Sequence, residues 1–162
     1  MSAKLRGIDK VIRNLNKNIQ EIKGVSLKGL IRAGIIIRRD MDQTSPTIPV
    51  NFGNLRASWS MITSNSTVVE GSSPMFTGDA AALLASLHQS EAAIAASKAR
   101  SLSKGVHPVV VFGFSAFYTW FVHESVDDNF QRPGSGAKFF EASLNRNRDK
   151  VLSVIKREAG LK

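Results

Sequence analysis

At 162 residues, with 43% hydrophobic and 22% charged side chains, the chain is long enough to bury a core, short for two domains, and too apolar for a disordered protein. No apolar run approaches the roughly 18–20 residues of a membrane span, no apolar segment follows the opening MSAKLRGIDK as a secretory signal requires, and the lack of cysteine excludes disulfides and thiolate chemistry and fits a reducing, intracellular compartment. The net charge of +9 sits at the ends: residues 1–43 carry ten Lys/Arg against four Asp/Glu, residues 137–162 seven against three, and the middle five against six.

Ile8, Val11, Ile12, Leu15, Ile19 and Ile22 recur at helical spacing with Lys10, Arg13, Lys17 and Lys23 between them, which predicts an amphipathic helix over 7–23. Gly24 is expected to stop it, and Ser26 to cap a second helix on which Leu27, Leu30, Ile31, Gly34, Ile35 and Met41 share a face. The run Ile35-Ile36-Ile37 widens that face, so cover on more than one side is expected. Pro46 and Pro49 forbid helix and bias Ser45 and Ile48 to extended geometry. Residues 51–54 then read as a turn in which Gly53 takes positive φ.

Two strands are predicted at Leu55–Thr63 and Ser66–Gly71, rich in β-branched and aromatic residues and separated by Asn65, as in a hairpin. The segment from about 74 to 104 is alanine-rich with a few leucines, a helical insertion of one or two pieces that packs on neighbours. HPVVVFGF at 107–114 is the strongest strand, read as buried, with Gly113 marking a bend or bulge. Aromatics crowd the region after it: Phe112, Phe114, Phe117, Tyr118, Trp120 and Phe121. Density of this kind builds a core more often than a ligand cage, and it also anchors interfaces. Residues 127–136 form a polar loop, and Phe139, Phe140, Leu144, Val151, Leu152 and Ile155 mark a C-terminal helix over about 137–159 that Gly160 ends. The expected fold is α+β: a small antiparallel sheet packed by N-terminal and C-terminal helices, in one domain spanning 1–162.

Side chains arranged for chemistry are scarce. His88, His107 and His123 lack paired metal spacing and read as surface or satisfied residues. His123 and Glu124 are adjacent, so on a strand or a helix their side chains are expected to diverge. Asp127 and Asp128 lack the alternating oxygen ligands of a calcium loop. Gly134-Ser135-Gly136 is too short to cradle a phosphate. The expectation is a non-enzymatic chain with no cofactor, metal or catalytic residue.

Three segments, in order, resemble the tail-completion, or head–tail joining, proteins of tailed bacteriophages. The first is a Pro-containing loop leading into a Gly-x-Leu-Arg-x-Ser turn: Pro46, Pro49, Gly53, Leu55, Arg56 and Ser58. The second is an aromatic stretch ending in glutamate, Phe117-Tyr118-Thr119-Trp120-Phe121-Val122-His123-Glu124, here followed by Ser125-Val126 in place of the family's Gly-Thr. The third is a loop with Arg132-Pro133, then Phe139-Phe140, Ala142 and Leu144 at the start of the last helix. The alanine-rich stretch is longer than the family's connection between its central strands.

The resemblance implies a structural virion protein of the phage neck, assembled in the host cytoplasm. It would be a small α+β subunit in a homo-oligomeric ring, commonly a hexamer, joining the portal or adaptor side of the head to the tail. Neighbouring neck, adaptor and tail proteins are the implied partners, with transient contact to genomic DNA in the lumen and no membrane. Candidate interface residues are Arg56, Trp59, Tyr118, Trp120, Glu124, Phe139 and Phe140. Arg56 is expected to make a fixed fork with Glu124 within the subunit or across the ring, against the plainer reading of a solvated arginine on a strand edge. Lys10, Arg13 and Lys17 are the candidate DNA-facing residues. The competing reading is a basic DNA-binding module using the N-terminal helices, although the apolar centre of the second helix is unlike a groove reader.

Overall fold

The computed structural model describes residues 8–65, 67–126 and 129–160, with side chains throughout except those of residues 8–13, 15, 18–20, 22 and 23. The chain is α+β, its elements running α1 (Ile8–Gln43), α2 (Asn54–Ala57), β1 (Trp59–Thr63), β2 (Val68–Glu70), α3 (Ala81–Ser103), β3 (Val110–Phe114), α4 (Thr119–Glu124) and α5 (Phe139–Glu158). The three strands form one antiparallel sheet in the order β2-β1-β3.

The N-terminal region is one helix of 36 residues where the sequence predicts two. Gly24 keeps out of the left-handed region that a glycine C-cap uses. A helical glycine costs only about 1 kcal/mol against alanine, less than breaking the ladder and nucleating a second helix at Ser26. The helix ends at Gln43, before the cis Ser45–Pro46 peptide.

Helices α1 and α5 pack antiparallel against each other. A Cβ on Gly29 would lie 3.2 Å from the Ile155 Cα, the Ser143 hydroxyl donates to the Ile37 carbonyl at 3.0 Å, and Arg146 reaches Asp40 at 2.6 Å. One face of the sheet meets this pair. There Gly34 lets α1 down onto Met61, whose sulfur would sit 2.5 Å from an added Cβ. Helix α3 lies against β1 and β3. The core between layers holds Ile37, Met41, Ile48, Leu55, Trp59, Leu84, Ala116 and Phe139, all buried. Ile35 and Ile36 stay half-exposed beside the buried Ile37.

Two further expectations are corrected. Residues 55–57, predicted as the start of a strand, join Asn54 in the short helix α2, because Gly53 at φ 84° sets up a helical turn in which Ala57 and Ser58 donate to the carbonyls of Gly53 and Asn54. Residues 119–124, read only as part of an aromatic segment, are the helix α4. Gly113 makes no bulge: β3 pairs in continuous register with β1 (Trp59 with Phe114 through Thr63 with Val110), and the irregularity lies between Met61 and Ile62 against β2.

Candidate functional site

The most apolar strand of the sequence is expected to be buried, yet β3 is an edge strand and all five of its residues are half-exposed. Hydrophobic content reports what a strand can bury and carries no record of its place in the sheet order. The Ser115 amide donates to the Ser58 carbonyl at 3.0 Å and the Ser64 amide to the Val109 carbonyl at 2.8 Å. In an antiparallel ladder this phase turns the backbone groups of 109, 111, 113 and 115 toward β1. The N–H and C=O groups of Val110, Phe112 and Phe114 therefore face outward. The Phe112 and Phe114 rings pack on Trp59, with centroids 5.4 and 5.2 Å away. A Cβ added at Gly113 would meet nothing within 4 Å.

Beside this edge a groove of about 470 Å³ is lined by Glu91 of α3 together with Gly113, Phe114, Phe117, Trp120 and Phe140. Phe117, Trp120 and Phe121 stand at i, i+3 and i+4, so the turn into α4 presents them on one side. They are 59, 69 and 70% exposed, which is a large apolar surface for three adjacent aromatics.

The three segments that carry the sequence resemblance meet in space. Thr47 pairs with Ser135 in a parallel bridge, its amide donating to the Gly134 carbonyl at 2.8 Å, which joins the proline loop to the RPGSG loop. Pro49, Phe52 and Leu55 line a cleft of about 480 Å³ with Tyr118, Val122 and Phe130, which joins the proline loop to the aromatic stretch. Burial at its wall pushes the Tyr118 phenol above its ordinary pKa. Finally, the Lys138 amide donates to the His123 carbonyl at 2.8 Å and its ammonium pairs with Glu124, tying α4 to the start of α5.

Arg56 makes no fork: it meets Asp42, and not Glu124, through one guanidinium nitrogen, and its buried Nε has no hydrogen-bond partner among the described residues. Its guanidinium lies 2.8 Å from the Asp42 carboxylate and 3.4 Å from the Asp42 carbonyl, because α2 folds back over the last turn of α1. Arg38 shares that carboxylate at 3.0 Å and stacks over Trp59, 5.7 Å from the ring centre. Burial draws the Arg38 pKa below its ordinary value despite Asp42. Glu124 instead serves Lys138 and His123, whose Nδ1 donates to it at 2.7 Å. That pair was expected to diverge. The pair lies at the C-terminal end of α4, where the His123 ring rests edge-on against Phe139 at 5.1 Å. Hydrogen bonds from Lys138 and His123 hold the Glu124 carboxyl below its ordinary value, and the bond to Glu124 raises Lys138.

The remaining interface candidates divide. Trp59 and Phe139 are buried and Phe140 packs on the same core, so these belong to folding: each lies on the side of its element that faces the sheet interior. Tyr118 is half-buried, and only Trp120 is freely exposed. The side chains of Lys10 and Arg13 lie outside the described residues, as do Asp127 and Asp128, while Lys17 is exposed beside Glu21 at 3.8 Å. His88, read as a surface or satisfied residue, is buried and satisfied, with Nδ1 2.7 Å from the Ser115 hydroxyl and Nε2 2.6 Å from the Gly71 carbonyl, although the sequence reading did not single it out from the other histidines. Phe117 and Phe121 were also left out of the interface set, although their spacing with Trp120 marks one face. Among the described residues no cluster of three His, Cys, Asp or Glu is placed to hold a metal ion, and no helix is long and apolar enough to cross a membrane. No family model, no curated protein and no solved structure matches the chain.

Proposed function

We propose that this chain is a structural assembly subunit of the phage-neck type, forming a homo-oligomeric ring that joins head to tail in a virion put together in the host cytoplasm. The observation that carries the reading is the exposed aromatic face of Phe117, Trp120 and Phe121 beside the open edge of β3. Exposed apolar surface of this extent marks an association site. The meeting of the proline loop, the aromatic stretch and the RPGSG loop around one cleft adds support, since those segments are the ones that resemble tail-completion proteins. In this reading neighbouring neck, adaptor and tail proteins dock on the loops around the cleft, and basic residues of α1 and α5 line a lumen through which DNA passes.

The test is the mass of the purified protein by sedimentation, with electron microscopy of the concentrated sample and a salt-titrated DNA-binding assay. Closed rings with weak, salt-sensitive DNA affinity are expected. A monomer or dimer that binds duplex DNA tightly would replace this reading with the DNA-binding module.

A further inference from the structure

We infer that the outer edge of β3 is a self-association edge, completed by a strand from a second copy of this chain. This deepens the ring reading and rests on it only for the number of copies joined.

The groups to be satisfied dictate the form of the occupant. Val110, Phe112 and Phe114 turn their N–H and C=O groups outward, and no other strand of the described residues lies beside them. A row of donors and acceptors alternating at this spacing is matched by another extended strand and not by a helix. Natural edge strands are blunted by charge, proline, a bulge or shortness. Residues 109–115, VVVFGFS, carry no charged residue and no proline, and the pairing of β3 with β1 has no bulge. The other edge, β2, shows the protections that β3 lacks: it spans three residues, carries Glu70 and is irregular in register. An unprotected edge of this type is kept only where something covers it.

The chain itself supplies a fitting cover. The sequence around Phe112 is self-complementary: paired antiparallel about that residue, Phe112 faces its counterpart and Val110 faces Phe114, so all the outward groups of both strands are bonded. Area also suffices. At about 150–250 Å² per aromatic side chain, Phe117, Trp120 and Phe121 expose roughly 300–500 Å². With the strand edge added, this approaches the ~800 Å² per partner of an ordinary specific interface. Within the second copy the donor that the self-complementary register fits is β3, which gives a two-fold pair; β2, short and irregular, is the poorer match, and only a head-to-tail contact through it could close into a ring.

Amide hydrogen exchange across a concentration series, read with sedimentation, tests this on the full chain. The amides of Val110, Phe112 and Phe114 are expected to exchange rapidly at low concentration and gain protection as the protein associates, while those of Val111 and Gly113 stay protected throughout. Val110→Pro removes an outward N–H without breaking a bond to β1 and is expected to abolish association with the circular dichroism unchanged. Should that variant misfold, Trp120→Ser on the exposed flank is expected to weaken association by about 30-fold or more, as for a central aromatic anchor. A two-fold dimer with protected β3 amides supports the edge and overturns the ring. Rings with unprotected β3 amides keep the ring and overturn the edge. A protein that stays monomeric at every concentration overturns both.

Discussion

The Arg56 guanidinium meets the Asp42 carboxylate at 2.8 Å, and Asp42 answers Arg38 with the same oxygen at 3.0 Å. One carboxylate thus separates two cations at the join between α1 and α2. Asp42→Asn leaves the arginines facing each other without a counter-charge in a half-buried place, and is expected to lower stability by roughly 1–3 kcal/mol in urea denaturation. A double-mutant cycle on Arg56→Ala and Asp42→Ala should be non-additive, whereas Arg56→Ala with Glu124→Ala should add within about 0.5 kcal/mol. Strong coupling of Arg56 to Glu124 would point to a contact between copies.

His88 joins three elements from the inside of the fold. The Gly71 carbonyl only accepts, so Nε2 carries a hydrogen, while the Ser115 hydroxyl lies 2.7 Å from Nδ1 and 3.2 Å from the Ser58 carbonyl. Nitrogen NMR is expected to report a hydrogen on Nε2. His88→Ala takes the donor from the half-buried Gly71 carbonyl and leaves a cavity against Phe76, whose ring lies 5.9 Å away. The expected loss is about 2–4 kcal/mol, and a stability within experimental error of the parent would exclude the network.

Stability should plateau between two limbs set by charged pairs. Glu124 is lowered from 4.5 and Lys138 raised from 10.5 by their mutual hydrogen bond. Asp40 is lowered from 3.8: burial opposes this, and hydrogen bonds from Arg146, Asn147 and Ser143 outweigh it. A depressed carboxylate contributes fully above its unfolded pKa and loses that contribution as pH falls through the folded one. A raised ammonium contributes fully below its unfolded pKa and loses that contribution as pH rises through the folded one. Melting temperature is therefore expected to fall below pH about 4 and again above about 10.5. Lys138→Met should weaken the alkaline limb, leaving the part due to the raised Tyr118 phenol, and leave the part of the acid limb due to Asp40.

Two glycines of the sheet should behave oppositely. Gly71 has φ 76° and a Cβ there would lie 2.1 Å from the Trp59 carbonyl oxygen, so Gly71→Ala is expected to cost about 2–4 kcal/mol. Gly113 is extended with open space around it, and Gly113→Ala should be neutral or slightly stabilising by thermal melting.

The sequence made the elements legible and left the sheet order hidden. Periodicity located α5 within two residues and the alanine-rich helix without its first turns, because those signals are local. It failed at Gly24, where glycine's permissiveness fits a helix as well as its end, and at residues 55–57, where one turn of helix has no period to read. Trp59 and Phe139 look like interface anchors in a sequence because burial inside a chain and burial between chains select the same residues. The open edge of β3 could not be foreseen, since neighbours in a sheet are chosen by chain topology. That Arg56 would meet a carboxylate was legible as chemistry, while which carboxylate was decided by the return of α2 across the end of α1.

The chain has two tryptophans, and the fold has sent them to opposite environments: Trp59 is 4% exposed, bonded to Glu70 at 2.7 Å and ringed by phenylalanines, while Trp120 is 69% exposed. The molecule therefore carries two built-in fluorescent reporters with separate duties. An aqueous quencher such as iodide should silence Trp120 and spare Trp59 as long as the chain is folded and unassociated. Unfolding opens the second indole to the quencher, and assembly across the α4 face shields the first. Folding and association can thus be followed at once in the unlabelled protein.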